Sequence, residues 1–472
     1  MFYKRVFLSM IITLTIVSFC TGCGDSPKGS EPIATSGQAV EAEVTASAGE
    51  TQSPPDEPVP YKSAFTSTDG SVNFVMDIDR TVGASDMPAV QVRPRFLTGE
   101  DARRVAASLF PDADFFEAEP AEANNFSKSE IQAKLSRWSE YANLDALKKL
   151  YGDSASENDV ELINSFLEEY TLLYEQAPAE NPHTPCQWEM RNSSVYQLTA
   201  DELAEASAAD WGNEVSAQFS VNGIPYYFTA AAGNGSNSKM NMISCYIYDG
   251  ICPRGDLDER IFSARLCRTE APSQEQMDLI KSRAETLLSS FDLGQWQVDE
   301  VYVQSGVQSG NDAEYWVYVK AVPVLNGFPA LRYPQENYDL TDAQFVFSSN
   351  GDLISFMLFS PLEIQRIENE AVKGLSIEAL LSRVREHLEG TDANHYGLGG
   401  ILQIIPEDVQ CNVTVSEMEY GLSRTKEAYR YIPSILLKGS AEYIGKETTY
   451  YRSERPEVLL VVNAADGTII HG

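Results

Sequence analysis

An aromatic and β-branched run, polar Asn326-Gly327 and a second short apolar run make up Tyr315 to Tyr333, YWVYVKAVPVLNGFPALRY, and predict a strand, a two-residue turn and a second short strand. Asn-Gly supplies the positive φ angles of a tight hairpin, and Pro329 suits an edge strand that donates no ladder hydrogen bond. About a hundred residues earlier the same grammar returns as FSVNGIPYYF, with Asn222-Gly223 and Pro225. Its double use predicts a duplicated three-stranded module.

The rest of the chain is read against that unit. Ser71 to Asp79 and Ala89 to Phe96 alternate as strands, and Thr98 caps a helix with Asp101 three residues on. Asp112 to Glu119 is expected as a strand. Ile131, Leu135, Trp138, Ala142 and Leu147 then form one helical stripe, broken at Gly152. Val160, Ile163, Phe166, Leu167, Tyr170, Leu173 and Tyr174 form a second. Together they predict an inserted αα-hairpin at about 124–179, either a helical layer on the sheet or a partner-binding arm. A mostly β segment follows to about Leu266, in which the loop Gly233 to Ser238 is a flexible turn or a ligand loop. After Ser273 a helix striped by Met277, Ile280, Ala284, Leu287, Leu288 and Phe291 leads into strands at Gln295–Val303, Glu314–Leu325, Phe328–Tyr333, Gln344–Phe347 and Leu353–Phe359. The order restarts at a Ser376-capped helix ending at Gly390. Strands follow at Ile401–Ile405, Cys411–Glu419, Ala428–Leu437, Ala441–Ile444, Glu457–Val462 and, past Asp466-Gly467, Thr468–Ile470. The fold class expected is α+β. Tandem helix-plus-antiparallel-meander modules occupy 271–373 and 374–472, after an N-terminal α+β domain at 61–270 that carries the αα-hairpin.

The N-terminus has a different pattern. Lys4 and Arg5 precede an apolar run from Val6 to Phe19, too short for a comfortable membrane span, as in an export signal. Cys20-Thr21-Gly22-Cys23 resembles the bacterial lipobox. Gly22 and Thr21 fit its small positions, whereas Cys20 stands where Leu is usual. Residues 1–22 are thus expected to be cleaved after Gly22, leaving Cys23 as a lipidated N-terminus; a simple transmembrane anchor is the alternative. Gly24 to Pro60 is Ser, Pro, Glu, Ala, Thr and Gly with hardly a bulky apolar residue, so 23–60 reads as a disordered tether spanning roughly 30–40 Å. The expected address is the extracytoplasmic face of the cell membrane, held by lipid.

Length and charge narrow the functions. At 472 residues there is room for two or three domains, and the net charge of −34 argues against nucleic acid or an anionic leaflet as partner. The acidity reads as a soluble, self-repelling surface or as calcium sites. Of seven cysteines, Cys20 and Cys23 belong to the signal; Cys186, Cys245, Cys252, Cys267 and Cys411 form no CxxC pair, though Cys245, Cys252 and Cys267 lie near enough for one bridge. The chain contains no GxSxG, HExxH, Walker, Rossmann or EF-hand motif, so no catalytic, cofactor or metal residue is assigned. His183 and Cys186 have ligand-like spacing in a Pro-rich loop, while His387 and His395 bracket a helix end. The pairs Asp77/Asp79 and Asp112/Asp114 would serve glycoside chemistry only if they faced a cleft. Tyr226, Tyr227, Tyr315, Trp316 and Tyr318 read as cross-strand pairs or as a sugar- or peptide-binding surface.

The ending VLLVVNAADGTIIHG, with its preceding helix, resembles PepSY-like repeats, which close on a strand, an Asp/Asn-rich Gly turn and a short strand. The helix-plus-meander modules also look like the extracytoplasmic YycH and YycI regulators of Gram-positive bacteria, and the whole chain is similar to a clostridial lipoprotein family of unknown function. The repeat resemblance covers Pro272 to Gly472 and carries over no binding residue. It implies a non-enzymatic role, regulating a membrane partner or restraining a protease. The function expected is a lipid-anchored binding or regulatory protein of the envelope with a membrane or envelope protein as partner. A solute-, peptide- or glycan-binding lipoprotein is the alternative, and an envelope hydrolase the third reading.

Overall fold

The computed structural model describes residues 61–78, 87–118, 126–192, 213–232, 241–248, 253, 257–267, 270–306, 314–331, 342–372, 374–390, 410–425, 429–445, 449–452 and 457–471. Strands β1 (Tyr61–Thr66), β2 (Val72–Ile78) and β3 (Met87–Pro94) precede helix α1 (Gly99–Leu109) and β4 (Phe116–Glu117). Helices α2 (Lys128–Ser139), α3 (Leu144–Tyr151) and α4 (Glu157–Gln176) lead to β5 (Arg191–Asn192), β6 (Asn213–Val221), β7 (Ile224–Ala232), β8 (Met242–Ile247) and α5 (Leu257–Leu266). Next come α6 (Gln274–Ser290), β9 (Gln295–Gly306), β10 (Glu314–Leu325), β11 (Phe328–Pro329), β12 (Ala343–Ser348), β13 (Leu353–Phe359) and β14 (Leu362–Val372). The last group is α7 (Ile377–Glu389), β15 (Gln410–Arg424), β16 (Arg430–Ile444), β17 (Thr449–Arg452), β18 (Glu457–Asn463) and β19 (Ile469–His471). The protein is mixed α+β with largely antiparallel sheets. Its described residues divide into two units, one within Ala89–Asn369 and Leu422–Ile432, the other within 61–88, Glu370–Gly421 and Pro433–Gly472.

The first unit holds a sheet in the order β11-β10-β12-β13-β8-β7-β6-β4, with β9 on the other side of β10 and β5 beside β6. Both Asn-Gly turns close tight hairpins. Val221 pairs with Ile224 and Leu325 with Phe328, and all four turn residues have φ between 51° and 87°. The two hairpin systems correspond strand by strand: Val215 faces Ala230 and Ala230 faces Ile243 in one, as Val319 faces Phe345 and Phe345 faces Phe356 in the other. Ser244 and Met357 are therefore equivalent positions, and they pair with each other across β8 and β13. A local two-fold axis passes between them, and the duplication seen in the sequence becomes one continuous sheet. Helices α1 and α6 cover one face. Each is started by a capping box, Thr98 with Asp101 and Ser273 with Gln276. Ala102, Val105, Ile280, Leu288 and Phe291 meet Phe228, Phe345 and Phe356 in the core.

Several elements differ from the sequence reading. Among the described residues, Asp112–Glu119 contributes only the strand Phe116–Glu117, and Phe328–Tyr333 only Phe328–Pro329, with Ala330 as an isolated bridge to Leu422. The first helix of the inserted hairpin is divided at Asn143, whose side chain accepts from the Ala146 N–H and starts α3 afresh. Helix α5 stands within the segment read as β. It carries acids in its first turn and Arg265 in its last, but too short an apolar stripe to announce itself. Strand β14 was not expected, because LEIQRIENEAV reads as polar. The inserted helices share a core with α5: Ile131, Trp138, Leu147, Ile163 and Tyr170 surround Leu257 and Ile261. The insertion is thus a packed layer on α5.

In the second unit the order is β1-β2-β15-β16-β18-β19, with β17 beside β16. Strand β2 lies parallel to β15, Val72 opposite Cys411 through Met76 opposite Val415. Leu380, Leu381, Val384 and Leu388 of α7 cover Phe74, Met76, Val413, Leu437 and Leu460. The two strands expected at Ala428–Leu437 and Ala441–Ile444 are, over the described residues, the single β16 (Arg430–Ile444), which runs on across Gly439. The Asp466-Gly467 turn is present, with Gly467 at φ 75° and the Thr468 N–H donating to Asp466 Oδ1 at 2.8 Å. The signal, the tether, Gly22, Cys23, the loop Gly233–Ser238 and the strand expected at Ile401–Ile405 lie outside the described residues.

Candidate functional site

The Asn326-Gly327 hairpin ends in a groove of about 620 Å³. Leu293, Pro323, Leu325, Leu362 and Ile364 supply its apolar lining, and Gly294, Gln295 and the turn itself supply backbone. The rim is made by unusual backbone. Asp292 (φ 54°) and Gly294 (φ 100°) turn the chain from α6 into β9, and Ser360 (φ 39°) turns it into β14. Two arginines hold the first of these turns: Arg95 Nη1 donates to the Asp292 carbonyl at 2.7 Å and Arg104 Nη1 to its carboxylate at 2.9 Å. Ile364 is 42% exposed, and no lining residue carries a charge. Concave, apolar and edged by backbone, the groove suits an uncharged side chain or a short extended segment. Nearby, the Trp296 indole Nε1 is enclosed without a hydrogen-bond partner among the described residues.

The aromatic residues singled out in the sequence divide between buried and half-buried positions. Tyr226 is buried and donates its hydroxyl to the Leu353 carbonyl at 2.6 Å. On the face away from α1 and α6, Tyr227 meets Tyr246 and Tyr248 at ring distances of 5.7 and 5.9 Å. Tyr318 stacks on Tyr302 at 5.1 Å, with Lys320 over the Tyr302 ring. Sequence reasoning named Tyr227 and Tyr318 and missed Tyr246, Tyr248 and Tyr302, which alternate correctly but gain meaning only through strand pairing. Desolvation pushes the hydroxyls of Tyr227 and Tyr318 up to about 12 and that of Tyr246 well above its usual 10. Unfolded tyrosines ionise first, so the stability these groups contribute is complete below pH 10 and is lost as pH rises toward 12. The urea midpoint should therefore fall between pH 9 and pH 11; an unchanged midpoint would show the three hydroxyls to be solvated.

Other candidates hold structure together. His183 Nε2 lies 2.9 Å from Glu130 Oε1, tying the Pro-rich loop to the start of α2. The Cys186 N–H donates to the Phe115 carbonyl. His387 ends α7, where its carbonyl accepts from Gly390, and His395 lies outside the described residues. Asp77 pairs with Lys62 at 2.8 Å, and Asp112 and Asp114 are exposed. Among the described residues no three His, Cys, Asp or Glu side chains gather as a metal ion would require. Cys186, Cys245, Cys267 and Cys411 are free thiols, so Cys245 and Cys267 are not bridged. No described helix is long and apolar enough to cross a membrane.

No family model matches the chain, and no curated protein matches it. Among solved structures it is similar to an uncharacterised protein from Eubacterium rectale, at 12% identity and a TM-score of 0.34 over 88% of this chain and 96% of that one. It is also similar to the C-terminal domain of Bacillus megaterium YpeB, at 11% identity and a TM-score of 0.27 over 54% of this chain and 86% of that one.

Proposed function

We propose that this chain is a lipid-anchored, extracytoplasmic binding protein of the cell envelope, which regulates a protein partner and performs no catalysis. The observation that carries the reading is the uncharged groove at the Asn326-Gly327 hairpin, built from apolar side chains and strand backbone in a chain of net charge −34. Such a surface suits recognition of a polypeptide segment. The Cys20-Thr21-Gly22-Cys23 motif and the tether after it support the address, and the PepSY-like ending VLLVVNAADGTIIHG supports a regulatory role. Crosslinking of the full lipidated protein in native membranes should capture one reproducible membrane-protein partner; its absence removes the regulatory reading. Cys23→Ala should leave an uncleaved, unlipidated precursor, and normal processing of that variant would overturn the anchor.

A further inference from the structure

Strand β9 has β10 on one side and no other described strand on the opposite side. Which of its backbone groups face outward follows from the ladder. The Pro323 carbonyl accepts from the Ala330 N–H, so Pro323 turns its polar group toward β11, and its neighbours Val322 and Val324 turn theirs toward Gln297 and Gln295. Trp296 and Val298 consequently point their N–H and C=O away from β10. A bulge at Asp299 resets the register, after which Glu300, Tyr302 and Gln304 face Lys320, Tyr318 and Trp316. Val301, Val303 and Ser305 then point outward. None of these five residues has a backbone partner among the described residues.

The opposite flank of the same hairpin shows what fits such an edge. There the chain adds its own segment, with Ala330 bridged in parallel to Leu422 and the Leu331 N–H donating to the Leu422 carbonyl at 2.8 Å. We propose that the outer edge of β9 receives an extended polypeptide segment of the partner by strand addition, and that an apolar side chain of this segment enters the groove beside Gly294 and Ile364. This rests on the peptide-binding reading above and names the bonds it would use. Charge decides the partner's chemistry. The groove is uncharged and the chain carries −34, so an uncharged-to-basic segment is accepted and an acidic one repelled.

The test uses the full chain and a fluorescein-labelled heptapeptide, Lys-Val-Thr-Val-Thr-Val-Lys, followed by anisotropy. Saturable binding is expected, with the version bearing glutamate at both ends bound at least about tenfold more weakly at low salt. Methylating alternate peptide nitrogens, or combining Val303→Pro with Ser305→Pro, removes hydrogen bonds of the new ladder and should each weaken binding about tenfold. The outward N–H groups of the exposed Val303 and Ser305 make no bond to β10, so the double variant should melt as the parent does. Should it fail to fold, the methylated peptide tests the same bonds from the other side. Ile364→Glu should weaken binding by closing the groove to an apolar side chain. No saturable binding of the basic peptide, or equal binding of its methylated form, overturns the strand-addition site. Capture of a membrane partner would then still leave the regulatory reading standing, with its interface elsewhere.

Discussion

Asp258→Ala is expected to destabilise the first unit by about 3–5 kcal/mol, because it removes the carboxylate that compensates a nearly buried guanidinium. Asp258 Oδ1 accepts from Arg137 Nε at 2.8 Å and from Trp138 Nε1 at 3.2 Å. The two charged side chains are only 10% and 2% exposed, and the guanidinium lies over the Phe262 ring. Attraction in a low-dielectric site repays desolvation only while both partners are present. Arg137→Met combined with Asp258→Leu should therefore lose much less than the single variant, since well-packed apolar replacements of a buried pair are often close to neutral. Urea unfolding of the three proteins decides the matter. A single variant within about 1 kcal/mol of the parent would show Arg137 to be solvated, as exposed pairs contribute no more than that. The same pair joins α2 to α5, so local loss should appear first as faster hydrogen exchange in α2 and α4.

Gly439→Ala is expected to be still more damaging, in the second unit. A Cβ at that position would lie 1.8 Å from the Thr414 carbonyl oxygen and 2.9 Å from the Val415 Cα. Overpacking against yielding side chains costs about 1–3 kcal/mol, but here the obstacle is the backbone of β15 and cannot rotate away. The variant should accumulate as insoluble or protease-sensitive protein, while Gly390→Ala serves as a comparison, since φ there is −86° and a Cβ meets nothing nearer than 3.5 Å. Equal melting of parent and Gly439→Ala would mean that β15 and β16 lie farther apart than the structure places them.

Features carried by neighbouring residues were legible in the sequence. The Asn-Gly hairpins, the caps at Thr98, Ser273 and Ser376 and the Asp466-Gly467 turn are each specified within a few positions, and each is present. Gly439 misled the reading because an isolated glycine in a strand signals either an end or the close approach of another backbone, and the second explanation applies. Half of the candidate site was visible in the same way. The hairpin wall of the groove announces itself, whereas Leu362 and Ile364 sit on β14, whose polar composition hides it. The outward-facing edge of β9 depends on where Pro323 turns its carbonyl, a property of pairing that no local pattern contains.

The parallel pairing of β2 with β15 has a consequence for biogenesis. Synthesis from the N-terminus delivers the β1–β2 hairpin first and its ladder partner, Cys411 to Val415, more than three hundred residues later. Loop closure over that span opposes early pairing. The first unit's long segment, Ala89–Asn369, has emerged by then, ahead of its remaining piece Leu422–Ile432. The hairpin meanwhile waits as an open template that a holding chaperone or a stalled neighbour can seize. Synthesis that halts before β15 should leave those earliest strands without their ladder partner and sensitive to protease, beside a first unit that still lacks Leu422–Ile432.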